Sequence, residues 1–306
     1  MGFSLPSDSI IRKRGYPMKN EKTQLTEAVQ TEVFLPEDYQ FNLSDFALFL
    51  SVMKVKKAYQ NTLSIILDES DLVLEEVKVE QVILNKSGKR AIRLDAWAMD
   101  QKHRQINTEM QNDTKGDDVR KRSRYYQSLL DTPILKAGKK TKYKHLPSTV
   151  IIFITQEDIF GRDLAKYTFT EKCEEVEDLH LEDGTKKIFL NMTSKNGRPE
   201  LVSLLQYMKD SRMDNPEIKV KDKRIRELGR IVEEVKQSEE WEAVHMNILE
   251  FGMEKGMEQG IAQGIQALIE SCQELGAPEE ETLLKVMEKY GKSREAAMEY
   301  MNKYWK

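Results

Sequence analysis

Asp95 and Glu109 are the residues around which this chain could do chemistry. Arg90–Met99 and Gln105–Gln111 read as two strands joined by the polar loop Asp100–Arg104. Strand periodicity puts Asp95 and Trp97 on one face of the first strand, with Leu94, Ala96 and Ala98 on the other. On the returning strand Asn107, Glu109 and Gln111 share a face opposite Ile106 and Met110. A loop centred on Lys102 leaves Asp95 and Glu109 equally far from the turn, and so opposite each other. Directly opposed residues have Cβ atoms about 4.5–5.5 Å apart, where two like charges are destabilising. A divalent cation would offset that repulsion, because Mg²⁺ uses one or two carboxylates when water and phosphate fill its remaining positions. Such an ion lowers the pKa of a bound water and polarises a phosphoryl oxygen. The blander solutions come first on the residues alone: both side chains solvated on an edge hairpin, or one of them paired with Arg93 or Arg104.

Just after the hairpin, basic residues accumulate. Lys115, Arg120, Lys121, Arg122, Arg124, Lys136, Lys139, Lys140, Lys142 and Lys144 lie between Lys115 and Lys144, with Tyr125, Tyr126, Tyr143 and His145 interleaved. Only Asp117, Asp118 and Asp131 oppose them. A basic patch is the electrostatic footprint of phosphate-backbone contact, with the arginines near Arg122 in reach of a phosphate and the tyrosines placed to stack or hydrogen-bond. The same pattern also describes a solvated helix face beside a lysine-rich loop.

The elements that must position these residues follow from periodicity. Ser44 reads as an N-cap before the helical stripe Phe46, Phe49, Leu50 and Met53. Leu63, Ile66 and Leu67 extend helix to about Leu67, past a break near Lys56. Leu74–Leu84 alternates as a strand, Asn85–Lys89 supplies a turn, and a helix runs from about Asp117 to Leu130. Thr149–Thr155 is a short apolar run rich in β-branched residues, the signature of a fully buried strand. Weaker strands near Tyr167–Thr170 and Lys187–Asn191 flank the turn Glu182-Asp183-Gly184, and the pattern is helical from Pro199 onward. Within that helical part, Lys221–Lys236 carries an apolar stripe at Ile225, Leu228, Ile231, Val232 and Val235.

The order helix, strand, Leu94-Asp95-Ala96, loop, Thr108-Glu109-Met110-Gln111, Lys121-Arg122-Ser123-Arg124-Tyr125-Tyr126 and Val150–Thr155 resembles the PD-(D/E)XK nuclease family transposases, the Rpn-like recombination-promoting nucleases of bacteria. The resemblance covers about residues 40–205 and extends loosely to the helical tail. It implies an α/β fold with a restriction-endonuclease-like αβββαβ core and a mixed central sheet, followed by an α-helical C-terminal tail. It also implies a Mg²⁺-dependent DNA endonuclease, with Mn²⁺ as a substitute ion. Asp95 and Glu109 are then the metal ligands and Gln111 the third catalytic residue, at the position where the wider superfamily has lysine. Arg120, Lys121, Arg122, Arg124, Tyr125 and Tyr126 form the nucleic-acid-binding set. A neutral glutamine contributes no positive charge to the transition state, and Gln60, the nearest candidate for the superfamily's first-helix acid, supplies no carboxylate. A catalytically degenerate nucleic-acid-binding or assembly protein on the same fold is therefore the alternative.

Composition bounds the rest. The 306 residues carry 48 Lys plus Arg against 52 Asp plus Glu, a net charge of −4, which argues against polyanion binding by the whole surface. Cys173 and Cys272 have no partner pattern, and His103, His145, His180 and His245 lie in separate segments without ligand spacing. No stretch fits a P-loop, and no apolar run is long enough for a membrane span or a secretory signal, so the chain reads as cytoplasmic. The expected organisation is a flexible arm at 1–36, a nuclease-like domain at 37–210 and a helical region at 211–306. In that last region Gly252, Gly256, Gly260 and Gly264 recur every four residues, ended by Gly276-Ala277-Pro278. Glu254, Lys255, Glu258 and Gln259 keep this repeat out of lipid. The tail is expected to be mobile, or ordered by self-association into a homo-oligomer.

Overall fold

The computed structural model describes residues 39–84, 90–114, 116–135 and 142–306, with the backbone alone at 254 and 255. The expected N-terminal arm, the turn Asn85–Lys89 and the lysines Lys115, Lys136, Lys139 and Lys140 lie outside the described residues. The elements run α1 (Phe46–Met53), α2 (Lys56–Leu67), β1 (Leu74–Ile83), β2 (Ile92–Asp100), β3 (Gln105–Gln111), α3 (Val119–Asp131), β4 (Thr149–Thr155), β5 (Lys166–Phe169), β6 (Thr185–Asn191), α4 (Pro199–Lys209), α5 (Lys223–Lys236), α6 (Glu239–Glu274), α7 (Glu279–Tyr290) and α8 (Arg294–Tyr304). One six-stranded sheet has the order β1-β2-β3-β4-β6-β5. Its β1–β2, β2–β3 and β5–β6 pairs are antiparallel, whereas β3–β4 and β4–β6 are parallel. The expected mixed sheet in an αβββαβ core is present.

The β2–β3 hairpin is not an edge. It lies inside the sheet, and helices cover both of its faces. Tyr59 of α2 reaches under one face, where its hydroxyl bonds to the Ala96 carbonyl at 3.0 Å and to Thr108 Oγ1 at 2.9 Å. On the other face α3 packs Val119, Tyr126, Leu129 and Leu130 with Trp97, Ile151, Phe153 and Phe189. Every residue of β4 is buried, as its unbroken apolar run requires of a central parallel strand.

Ser44 does not cap α1. Its N–H donates to the Met208 carbonyl at 2.8 Å and its own carbonyl accepts from Asn112 Nδ2, so it ties α1 to α4 and to the end of β3. Asp45 occupies the N-cap position, but its carboxylate accepts the Asn42 N–H outside the helix. The break before α2 falls where expected, and α2 ends at Asp68 in the left-handed region at φ +63°. Its last carbonyls accept from cations on other elements, Ile66 from Lys166 at 2.7 Å and Ile65 from Arg198. This use of cations suits the negative end of a helix dipole.

The chain divides into two compact units, one of residues 40–244 and one containing residues 245–306. The first therefore continues beyond residue 210, where the sequence suggested a boundary. Helix α5 lays Ile225, Leu228, Ile231 and Val232 inward and packs on α2. The second unit has a core of its own, built from Ile265 and Ile269 on α6, Leu283 and Val286 on α7, and Ala297 and Met301 on α8. The tail is thus ordered within a single chain, contrary to the expectation of order by self-association alone. Its glycines are not equivalent: a Cβ at Gly264 would stand 2.6 Å from Tyr290 Oη, whereas one at Gly260 would meet nothing within 4 Å. Gly260→Ala should raise the stability of this unit by about 0.5–1 kcal/mol by removing backbone freedom from the unfolded chain. Gly264→Ala should gain nothing or lose, because Tyr290 must turn aside. Thermal denaturation of both variants checks this, and equal gains would contradict it.

Candidate active site

The site begins at the β2–β3 turn. Asp100, 1% exposed, accepts the N–H groups of Lys102 and Arg104 on Oδ1 at 3.0 and 2.8 Å and Arg104 Nε on Oδ2 at 2.7 Å. Arg104 in turn forks onto Glu69 at 2.8 and 2.6 Å. This network holds a five-residue turn that places Met99 opposite Gln105, Ala98 opposite Ile106, Trp97 opposite Asn107 and Ala96 opposite Thr108. One step further in the same register brings Asp95 opposite Glu109, as loop symmetry predicts.

At that step the backbone ladder gives way to side chains. The Asp95 N–H donates to Glu109 Oε1 at 3.1 Å, and the Met110 N–H donates to Asp95 Oδ2 at 2.9 Å. Across the other edge of β2, the β1 residue facing this position is Glu80, in the left-handed region at φ +51° and absent from the paired register between Val79 and Gln81. A non-glycine residue held there costs roughly 1–2 kcal/mol. The sheet is irregular on both sides of Asp95.

Neither carboxylate is solvated. Asp95 is 7% exposed and Glu109 1%, so the polar face of the hairpin is an interior one. Burial pushes Asp95 well above the usual carboxylate range, and the charge of Glu109 adds to the effect. Glu109 is also raised by burial, while Arg122, Asn107, the Asp95 N–H and Tyr126 pull it back. Asn107 Nδ2 reaches Glu109 Oε1 at 2.9 Å, and Arg122 Nη2 reaches Oε2 at 3.2 Å. Three donors converge on Glu109, from Arg122, Asn107 and the Asp95 N–H, and one, the Met110 N–H, on Asp95. Hydrogen bonds to charged groups are worth about 1.5–3 kcal/mol each. Together these suffice to offset repulsion of about 4 kcal/mol between unit charges 4 Å apart at an effective dielectric of 20.

Arg122 is the main counter-charge, Arg93 adds a weaker pull on Asp95, and Arg104 takes no part. Arg93 is 3.7 Å from Glu80, and Arg104 is committed to Glu69 and Asp100. Helix α3 is capped by Asp118, whose carboxylate accepts the N–H groups of Arg120 and Lys121. This start turns Arg122 and Tyr126 inward together with Val119, Leu129 and Leu130. The Arg122 guanidinium donates Nη1 to Gln111 Oε1 at 2.6 Å and Nε and Nη2 to Tyr126 Oη at 3.0 and 2.7 Å. It lies 5.0 Å from the centre of the Tyr126 ring and 5.7 Å from that of Phe153.

Of the expected nucleic-acid-binding residues, Arg120, Lys121 and Arg124 are exposed on α3. Tyr125 is half-buried and bonds through its hydroxyl to the Arg90 carbonyl. Arg122 and Tyr126 are engaged with Glu109. Gln60 is not at the site, since its Oε1 accepts the Leu74 N–H at 3.0 Å and fastens α2 to β1. A cleft of about 500 Å³ opens over Asp95, with Arg90, Arg93, Lys121 and Arg122 on its walls. Among the described residues no group of three or more His, Cys, Asp or Glu is placed to hold a metal. The carboxylate oxygens of Asp95 and Glu109 are hard donors of the kind Mg²⁺ takes, and the Arg122 guanidinium is bonded to Glu109 Oε2 and to Gln111 Oε1.

An αβββαβ core with two carboxylates on adjacent central strands defines an α/β protein of the restriction-endonuclease-like class. The chain belongs to the PD-(D/E)XK nuclease family transposases, whose family model matches residues 37–251. Membership points to a nuclease-type function, in a class of nucleases that generally use divalent metal ions. No curated protein and no solved structure matches the chain. Among the described residues no helix is long and apolar enough to cross a membrane.

The raised carboxylates make stability depend on pH. With folded pKa values above the unfolded ones, the native state binds more protons in that window, so stability is full below the ordinary carboxylate range, about pH 4, and declines as pH rises through the folded values. Thermal denaturation in chelator should therefore show the parent losing more stability with rising pH than Asp95→Asn, which lacks the Asp95 titration and keeps that of Glu109. Parallel curves would contradict the assignment.

Proposed function

We propose that the protein is a metal-dependent DNA endonuclease that hydrolyses phosphodiester bonds with Mg²⁺, for which Mn²⁺ substitutes. The carrying observation is the buried pair Asp95 and Glu109, opposed on central strands, with Asp95 reaching a cleft walled by Arg90, Arg93 and Lys121 and Glu109 buried behind it. Asp95 and Glu109 hold the ion in this reading. A bound divalent ion supplies a Lewis acid for the phosphoryl oxygen and lowers the pKa of the attacking water. Gln111 orients that water through its carboxamide but adds no positive charge near the transition-state phosphate, which makes weak activity the expectation. Exposed Arg120, Lys121 and Arg124 grip backbone phosphates and fix the register of the strand, with Tyr125 beside them at the cleft. Self-association through α6–α8 completes the reading.

A second reading is favoured by Gln111 and by the absence of a carboxylate at Gln60, which is committed to β1. It makes the protein a degenerate binder that uses the same basic surface without cutting. Nicking of supercoiled plasmid separates the two. The endonuclease reading expects nicking in Mg²⁺ or Mn²⁺ and at least about a hundredfold loss for Asp95→Ala and Glu109→Ala, the scale of losing several kcal/mol of metal-derived stabilisation. No cleavage with either ion, or undiminished cutting by both variants, contradicts it.

The phosphate track has its own test. Replacing Arg120, Lys121 and Arg124 together by alanine should flatten the dependence of log affinity on log salt by about 2–3, nearly one unit per lost contact. Fluorescence anisotropy on labelled DNA reads the slope, and an unchanged value would place the track elsewhere.

A further inference from the structure

We propose that Arg122 is a resident cation in the seat a divalent ion takes, and that metal loading expels its guanidinium from Glu109 and Gln111 into the cleft. This rests on the metal-dependent reading above. One guanidinium bridges the two hard-oxygen side chains of β3, with Nη2 on Glu109 Oε2 at 3.2 Å and Nη1 on Gln111 Oε1 at 2.6 Å. The other oxygen of Glu109 is already committed to the Asp95 N–H and to Asn107. An ion held by Asp95 and by Glu109 through Oε2 competes directly with Arg122 for that oxygen. Two cations in a site where Glu109 is 1% exposed also repel strongly, because water screens them poorly.

The structure provides a way out. The Arg122 side chain is 25% exposed and lines the same cleft as Arg90, Arg93 and Lys121. Once released it joins these cations where the substrate phosphate approaches. The exchange couples the two ligands: metal frees a phosphate-binding arginine, and bound phosphate draws that arginine off the Glu109 oxygen the metal uses. Linkage requires the coupling to be reciprocal. In the metal-free protein the guanidinium neutralises Glu109 and holds the hairpin end together.

Two measurements on the full chain test this. The first follows the Arg122 Nε–H resonance, identified by its loss in Arg122→Lys, through a titration with Mg²⁺. The second compares Mn²⁺ affinity of the parent, Arg122→Met and Asp95→Asn at one fixed pH. Mg²⁺ is expected to shift or broaden the Arg122 signal over the concentrations that saturate the site. Arg122→Met is expected to bind Mn²⁺ roughly tenfold more tightly than the parent or better, a modest share of the repulsion between close, poorly screened charges. An Arg122 signal that stays unmoved while Mn²⁺ binds in an Asp95-dependent way overturns the displacement and leaves the metal reading standing, as does equal or weaker binding by Arg122→Met. If the parent binds no Mn²⁺, or Asp95→Asn binds it as well as the parent, the metal reading itself falls and the displacement with it. Should Arg122→Met fail to fold, the parent's resonance decides alone.

Discussion

Two carboxylates buried opposite each other on central strands are the constraint on which this domain is arranged. Left alone, such a pair would repel across the hairpin and lose most of its hydration. Each neighbouring element answers part of that problem. The Asp100–Arg104–Glu69 network fixes the turn, and with it the register that brings Asp95 opposite Glu109. The strands then spend backbone N–H groups on the two carboxylates instead of on each other. Helix α3, started by Asp118, brings Arg122 and Tyr126 to the oxygen that remains.

These contacts are polar, but a dry frame holds them. Tyr59 braces the hairpin from below and has its own hydroxyl pKa raised by burial. Phe153 on β4 lies 5.9 Å from Phe189 and 6.1 Å from Tyr126, so aromatic packing sets the position of the helix that carries the counter-charge. Low polarity strengthens every charge interaction in the site and makes each unpaired group costly. The same frame that raises Asp95 would strengthen the site's hold on a small hard cation.

Much of this is legible in the sequence, for identifiable reasons. Loop symmetry about Lys102 is enough to oppose Asp95 and Glu109, and the unbroken apolar run Thr149–Thr155 is enough to place a buried strand. Burial of the polar hairpin face is not legible, because alternation of polar and apolar residues looks the same on a solvated face and on one covered later by a helix. A signal for Arg122 does exist. Val119, Arg122, Tyr126 and Leu129 recur at three- and four-residue spacing, so Arg122 lies on the inward stripe of α3 and its charge must find a partner inside. Basic composition draws attention to the outer face and hides that spacing. The roles of Ser44 and Gln60 are not legible, because the groups they bond, Met208 and Leu74, lie far away in sequence or on a different element.

The central claim, that Asp95 and Glu109 form a desolvated pair neutralised mainly by Arg122, is reached most directly by following the side-chain carboxyl carbons of both residues by NMR through a pH titration of the metal-free protein. At least one of them, Asp95 first, should titrate well above the ordinary carboxylate range. Two ordinary titrations, each independent of the other, would contradict the account.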